Sequence, residues 1–411
     1  MSSQSQTFVI VGGGLAGAKA AEALRDKDFS GEIVLFAAEE HLPYERPPLS
    51  KEYLAGKKTL DEFTVNSAAW YRDHRVDLRL GTTVASLDVR EHLVGLQDGS
   101  TQRYDKLLLA TGSASRRLPI AGSDADGVHY LRTVDDADAL DAAITADSAL
   151  AVVGGGWIGL EVAAEARRRG AKVTVAEAAE LPLLGALGRE VAEVFAKLHR
   201  DHDVDLRLST SVEEITTADG VATGLRLGDG STVDADAVLV AVGAAPNVGL
   251  ATVAGLAMAP DGGVAVDSSL RTSDPDVFAV GDIASAQHPL FGTRIRTEHW
   301  ANALKQPAAA VAGMLGTPTE YAELPYFFTD QYDLGMEYAG YARDYARVVF
   351  RGDVDGREFV AFWLDSDSRV LAGMNVNIWD VLDDVKSLIR SQKPVDADKL
   401  ADPQQALSSL M

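Results

Sequence analysis

Short apolar runs that stop at glycine are the dominant pattern of this chain. Phe8-Val9-Ile10-Val11 has no polar alternation and reads as a strand buried on both faces. It breaks at Gly12-Gly13-Gly14-Leu15-Ala16-Gly17, and the alanine-rich stretch 18–25 that follows reads as helix. Residues 33–36 read as the next strand. The same order recurs far downstream. Residues 150–153 predict a strand, Gly154-Gly155-Gly156-Trp157-Ile158-Gly159 interrupts it, 160–169 predicts a helix and 172–175 a strand. Each copy closes on another buried run that ends at a glycine, Leu107-Leu108-Leu109-Ala110-Thr111-Gly112 in the first and Val238-Leu239-Val240-Ala241-Val242-Gly243 in the second. Asp98-Gly99-Ser100 and Asp229-Gly230-Ser231 mark matching hairpin turns. Past the second copy, 347–350 and 358–364 predict strands, and 378–389 repeats an apolar face at helical spacing.

A strand, a GxGxxG loop and a helix in that order have a chemical reading. The first glycine permits the tight turn, the second lets backbone N–H groups approach a diphosphate, and the third lets helix and strand pack closely. The helix N-terminus adds unpaired donors and partial positive charge. Two such devices imply two dinucleotides on one chain. The acidic residue after the following strand bonds the adenosine ribose in this arrangement. In the second copy that residue is Glu177, and Ala178, Ala179 and Glu180 after it offer no cation to a 2′-phosphate, which favours NADH over NADPH. In the first copy the strand is followed by Ala37, Ala38, Glu39 and Glu40, so the ribose carboxylate falls to Glu39, with Glu40 next to it.

Composition narrows the partners. The 411 residues suffice for two or three domains, and the formal net charge of −23 disfavours nucleic acid and anionic membrane surfaces. No window approaches the roughly 18 apolar residues of a membrane span, and the start of the chain is polar and uncharged, so a cytoplasmic protein is expected. The chain contains no cysteine, which excludes disulfides, cysteine-ligated clusters and any redox-active thiol. His199 and His202 lack a complementary ligand set, and no metal site is expected.

Longer motifs identify a family. Leu42-Pro43-Tyr44-Glu45-Arg46-Pro47-Pro48-Leu49-Ser50-Lys51, Tyr130-Leu131-Arg132-Thr133, Phe278-Ala279-Val280-Gly281-Asp282, Arg296-Thr297-Glu298-His299-Trp300 and Phe327-Phe328-Thr329-Asp330-Gln331-Tyr332 occur in order along the chain. With the two glycine loops they make the sequence resemble, end to end, the FAD-dependent ferredoxin–NAD(+) reductases of bacterial oxygenase and cytochrome P450 systems. Putidaredoxin reductase, rubredoxin reductases and apoptosis-inducing factor are relatives in that family. The resemblance implies an α/β fold of two Rossmann-like domains of the glutathione-reductase type plus an α+β C-terminal domain. It implies an FAD domain over 1–117 and 246–322, an NAD domain over 118–245 and a C-terminal domain over 323–411. It also implies that Gly12, Gly14, Leu15, Ala16, Gly17, Arg46, Val84, Ala110, Thr111, Gly112, Arg132, Gly281 and Asp282 contact FAD. Gly154, Gly156, Trp157, Ile158, Gly159 and Gly243 join Glu177 around NAD. Lys51 and Glu161 form a charge pair beside the flavin, and Trp300 is a flavin-side aromatic. Relatives often carry the ribose carboxylate at the position of Ala38.

The activity implied is hydride transfer from NADH to FAD, followed by release of single electrons to a ferredoxin-type iron–sulfur protein by a monomer or weak homodimer. Without cysteine, the thiol routes of thioredoxin and glutathione reductases are closed. A rubredoxin reductase, a flavin-only NADH oxidase or quinone reductase, and an NADH-gated interaction protein remain as alternatives. Arg294 and Arg296, or Lys386, Arg390 and Lys393, are the candidate basic areas for an acidic partner.

Overall fold

Thr7–Val11 is the middle strand of a five-stranded parallel sheet, and Val9 and Ile10 are fully buried in it. In a computed structural model describing residues 6–410, its neighbours are Glu32–Phe36 and Lys106–Leu109, with Val76–Arg79 and Val277–Ala279 at the edges. The lack of polar alternation in 8–11 follows from this central place, because helices cover parallel sheets on both faces. The helix Leu15–Asp26 packs against Trp300–Met314, and its small Ala18, Ala20 and Ala21 allow the close approach. The hairpin sheet of Val84–Asp88, Leu93–Leu96 and Thr101–Arg103 lies in the same unit. Its turn forms at Asp98, whose Oδ1 accepts from the Ser100 amide at 2.9 Å while Gly99 takes a φ of +87°. These elements belong to a first compact unit of residues 6–45, 60–114 and 245–325.

The second unit holds 46–59, 115–244 and 326–410. It repeats the plan with a parallel sheet ordered Asp205–Arg207, Lys172–Ala176, Ala149–Val153, Ala237–Val240 and Val128–His129. Helix Trp157–Arg168 follows the glycine loop, and eight consecutive residues from Gly159 to Ala166 are buried, two glutamates among them. The C-terminal part is a five-stranded antiparallel sheet, Tyr326–Gln331, Leu334–Gly340, Val370–Val376, Glu358–Leu364 and Arg347–Asp353 in spatial order. Six of the seven residues of Glu358–Leu364 are buried. The Trp363 Nε1–H donates to the Leu187 carbonyl at 2.9 Å, and Trp363 shares an apolar cluster with Phe195 and Leu198 of helix Arg189–Asp201.

The expected helix at 378–389 is displaced to Leu382–Ser391. Asn377 and Asp380 both have positive φ, and the Asn375 side chain donates to the Ile378 carbonyl at 2.8 Å. Those contacts hold 377–380 in a turn, and the helix starts where Asp383 and Asp384 can sit in its first turn. Helices predicted at 18–25 and 160–169 begin three residues earlier, directly on their glycine loops.

The loop glycines differ in what a side chain would meet, and stability should follow. A Cβ on Gly17 would lie 2.0 Å from the Gly12 carbonyl oxygen, whereas one on Gly14 meets nothing within 4 Å. Gly17→Ala is expected to lower unfolding free energy by about 2–4 kcal/mol, and Gly14→Ala by less than about 1 kcal/mol. Urea midpoints of the two variants test this, and equal losses would contradict it.

Candidate functional site

The first glycine loop is a backbone cradle. Gly12, at φ +126°, would drive a Cβ to 2.1 Å from the Ala110 carbonyl oxygen, so strand Lys106–Leu109 delivers Ala110, Thr111 and Gly112 directly against it. The Thr111 hydroxyl donates to the Asn247 carbonyl at 2.7 Å, and Asn247 Nδ2 donates back to the Thr111 carbonyl at 2.9 Å. Gly14 caps helix Leu15–Asp26 without any side-chain bond, which leaves the first-turn N–H groups of Leu15, Ala16 and Gly17 directed at an open face. Gly281, at φ +74°, comes over Ala16, and its amide donates to Gln306 Oε1 at 2.7 Å, which sets the turn carrying buried Asp282. Gln306 is a positioning residue that sequence motifs did not single out.

Glu39 and Glu40 lie at the end of the second strand. Tyr44 donates its hydroxyl to Glu39, while Glu40 is exposed. Gly13 faces Ala37 here, where in the second unit the matching Gly155 faces Glu177. The first loop thus has alanine at the matching place, and Glu39 lies two residues further on. The Gly81 and Thr82 amides donate to the carbonyls of Glu39 and Ala37, which brings the buried head of Val84–Asp88 alongside. Trp300 begins its helix and donates Nε1–H to Glu45 at 3.1 Å. Burial lowers the pKa of the preceding His299 to about 4 against the opposing charge of Asp282, so its ring is neutral at pH 7.

In the second unit Gly154, at φ +101°, repeats the close approach, with a Cβ 2.6 Å from the Ala241 carbonyl oxygen. Gly156 again caps without a side-chain bond. The Glu177 carboxylate accepts from the Gly155 amide at 2.6 Å and from the Ala179 amide at 2.7 Å, which fixes it beside the loop. Ile158 is exposed at the loop, but the Trp157 ring packs on Phe195 and Phe327, leaving only its backbone to the loop. Gly243 takes φ +103° and its carbonyl accepts from the Arg116 amide at 2.9 Å. Arg207, whose carbonyl accepts from the Glu177 amide, is paired with Asp205, and Arg189 with Glu180.

Lys51 and Glu161, 110 residues apart, meet in this second unit at 3.0 Å, with side chains 11% and 5% exposed. Segment 46–59 groups with this second unit, and its side chains bond here. The Ser50 hydroxyl donates to Glu161, Arg46 donates to the Arg132 carbonyl, and Tyr53 donates to Asp138 at 2.7 Å. Arg132 leads into a capping box in which Thr133 and Asp136 close the start of helix Val134–Ala143. The Thr329 hydroxyl donates to the second oxygen of Glu161 at 2.5 Å, and the Lys51 ammonium lies 5.5 Å from the Phe328 ring centre. Every hydrogen-bond partner named for Glu161 is a donor, as an ionised carboxylate requires. Ser50 and Thr329 stood inside the quoted motifs without a role; their contact with Glu161 supplies one. A cavity of about 350 Å³ adjoins the pair, lined by Lys51, Glu161, Arg168 and Asp330 among others. Burial raises the pKa of Asp330, with Glu161 and Glu52 adding to the shift and Lys51 and Arg168 opposing it.

The basic candidates separate. The Arg294 guanidinium donates to the carbonyls of Val266 and Ser285, and Arg296 to Asp282 and Glu298, so both are engaged internally. Lys386 and Arg390 lie on helix Leu382–Ser391, and Lys393 is exposed just beyond it. No helix among the described residues is long and apolar enough to cross a membrane, and no group of three metal-binding side chains occurs among them.

Both cradles fit the diphosphate of a dinucleotide. Each has two glycines that exclude a Cβ through backbone contact and a third that opens uncapped N–H groups to a ligand, and Glu177 suits a ribose diol. Comparison with known proteins agrees. Residues 6–307 match the pyridine nucleotide-disulphide oxidoreductase family model, and 326–411 match the reductase C-terminal model. The chain is 40% identical to rhodocoxin reductase of Rhodococcus erythropolis, over 90% of this chain and 86% of that one. It is 41% identical to the ferredoxin–NAD(+) reductase component of the anthranilate 1,2-dioxygenase system of Burkholderia cepacia, over 98% and 99%. It superposes on the reductase in the covalent putidaredoxin reductase–putidaredoxin complex with a TM-score of 0.95 at 34% identity, covering 99% and 98% of the two chains. With its two nucleotide cradles and its C-terminal sheet, this chain belongs to the pyridine nucleotide-disulphide oxidoreductase family, as an FAD- and NAD(H)-dependent oxidoreductase.

Proposed function

We propose that the chain is a ferredoxin reductase: it takes hydride from NADH onto FAD and passes the two electrons singly to a small iron–sulfur protein serving an oxygenase or cytochrome P450. The observation that carries this reading is the buried Lys51–Glu161 pair in a chain without a single cysteine. One relative named above is the ferredoxin–NAD(+) reductase component of a dioxygenase system, and one solved relative is joined covalently to putidaredoxin. For each NADH consumed, two acceptor proteins are reduced and one proton is released.

Bound FAD supplies the exchange between a two-electron hydride and single electrons. The protein's part is binding, orientation and charge. Gly12, Gly14, Leu15, Ala16 and Gly17 offer N–H donors to the FAD diphosphate, Glu39 bonds its adenosine ribose, and Asp282 accepts from the ribityl chain. Val84, Ala110, Thr111, Gly112 and Gly281 shape that site, Arg46 and Arg132 add positive charge, and Trp300 excludes water on the flavin side. Gly154, Gly156, Trp157, Ile158, Gly159 and Gly243 receive NADH, and Glu177 selects the unphosphorylated ribose. Lys51 contributes a cation that favours the electron-rich reduced state, and Glu161 holds its ammonium in place. The FAD domain takes 1–117 and 246–322, the NAD domain 118–245 and the C-terminal domain 323–411, with the 46–59 loop reaching across to Glu161. Lys386, Arg390 and Lys393 provide local positive charge for an acidic partner on a chain of net charge −23. The enzyme works in the cytoplasm as a monomer or weak homodimer.

Lys51→Met is expected to slow NADH-driven bleaching of the flavin by about 10- to 100-fold with little change in the NADH concentration at half-saturation. Stopped-flow absorbance reads both parameters, and an unaltered rate would remove Lys51 from the reaction. Glu177→Ala is expected to raise KM for NADH about tenfold at nearly constant kcat and to narrow the preference over NADPH. Steady-state kinetics with both nucleotides checks this, and an unchanged nucleotide preference would contradict the role of Glu177.

A further inference from the structure

Glu161 is the end of a longer buried chain of polar groups. Thr329 donates to it at 2.5 Å, Gln331 Nε2 donates to the Thr329 hydroxyl at 3.3 Å, and Gln331 Oε1 lies 2.9 Å from His199 Nε2. His199, Gln331 and Thr329 are each no more than 1% exposed. Three separate elements contribute, helix Arg189–Asp201, strand Tyr326–Gln331 and helix Trp157–Arg168.

The chain has one polarity. The amide N–H₂ of Gln331 faces Thr329, so its carbonyl oxygen faces His199, and the His199 ring must carry its proton on Nε2. The Thr329 oxygen, accepting from Gln331, is left with its single proton for Glu161. We propose that Gln331 and His199 are positioning residues: the polarity they set keeps the Thr329 hydroxyl donating to Glu161, and Glu161 in turn fixes the Lys51 ammonium. This rests on the role given above to the Lys51–Glu161 pair.

The surroundings support a fixed polarity. Burial lowers the His199 pKa to about 4 against the bond to Gln331, with His202 adding to the lowering, so the ring stays neutral through the working pH range. Tyr332, whose ring stands 5.4 Å away at 68°, covers it without contributing charge. The charged groups around Glu161 are Lys51, Glu52 and Lys57 from the 46–59 segment, Asp330 from the strand, and Glu165 and Arg168 on its own helix. Among these groups the relay supplies a neutral donor from the buried side. A purely space-filling role would require only the shapes of Gln331 and His199. The relay requires their donor and acceptor order.

Gln331→Glu separates the two, because it keeps the shape and the acceptor facing His199 but turns the donor facing Thr329 into an acceptor. A carboxylate at 331 has no N–H for Thr329 and draws the threonine proton toward itself, away from Glu161. In the FAD-loaded protein at pH 7, ¹³C NMR of the Glu161 carboxyl, assigned with Glu161→Gln, is expected to show its resonance displaced by more than its linewidth in Gln331→Glu relative to wild type. ¹⁵N NMR is expected to show the wild-type His199 ring neutral and protonated on Nε2 between pH 6 and 8 (roughly the span around its ordinary pKa). His199→Gln, which retains an N–H for Gln331, should keep the Glu161 resonance where wild type has it. A Glu161 resonance unmoved by Gln331→Glu, or a His199 ring protonated on Nδ1, overturns the relay. If Glu161→Gln slows flavin bleaching while Gln331→Glu leaves the resonance unmoved, the relay alone fails. If the resonance moves but Glu161→Gln bleaches at the wild-type rate, the relay stands and the role of the pair fails.

Discussion

A buried carboxylate determines much of this architecture. Glu161 is 5% exposed, and an isolated charge at such depth would cost several kcal/mol. It is compensated by an ammonium from the 46–59 segment, a hydroxyl from the same segment and a hydroxyl from the first strand of the C-terminal sheet. Those donors arrive from two distant parts of the chain. Satisfying that carboxylate, together with the bonds of Arg46 to the Arg132 carbonyl and Tyr53 to Asp138, holds 46–59 in the second unit, and Thr329 ties the first C-terminal strand to the same helix.

The nucleotide cradles depend on a second constraint, close backbone approach. In each copy a glycine of positive φ lies where a Cβ would strike the carbonyl of the residue after the closing strand, Ala110 in one and Ala241 in the other. The copies then diverge in their acids. Glu177 bonds its own loop through the Gly155 amide, whereas Ala37 occupies the matching place in the first copy and Tyr44 steadies Glu39 instead. The two copies of one fold device thus differ at the end of the second strand, which suits a protein that holds two different dinucleotides.

Much of this was legible in the sequence because it is local. A glycine loop between a buried strand and a helix is written within ten residues, and the parallel sheets, both hairpin turns and the C-terminal strands followed from such patterns. The Lys51–Glu161 contact came from family motifs, since no spacing connects residues 110 apart. What escaped was tertiary. Gln306, Gln331 and His199 depend on partners 25 to 132 residues away. The helix at Leu382–Ser391 was placed too early because apolar spacing ignores the left-handed backbone of Asn377 and Asp380. Arg294 and Arg296, candidate docking cations by sequence, are engaged by the Val266 and Asp282 carbonyls.

Electron stoichiometry tests the central claim most directly. The purified protein, loaded with FAD and kept free of oxygen, would be given limiting NADH and an excess of an oxidised ferredoxin-type protein, with both chromophores followed by absorbance. The account predicts two ferredoxins reduced for each NADH oxidised, with the flavin returning to its oxidised spectrum. Flavin that bleaches with NADH but passes nothing to any ferredoxin would contradict the proposed function, and flavin that does not bleach at all would contradict the role given to the Lys51–Glu161 pair.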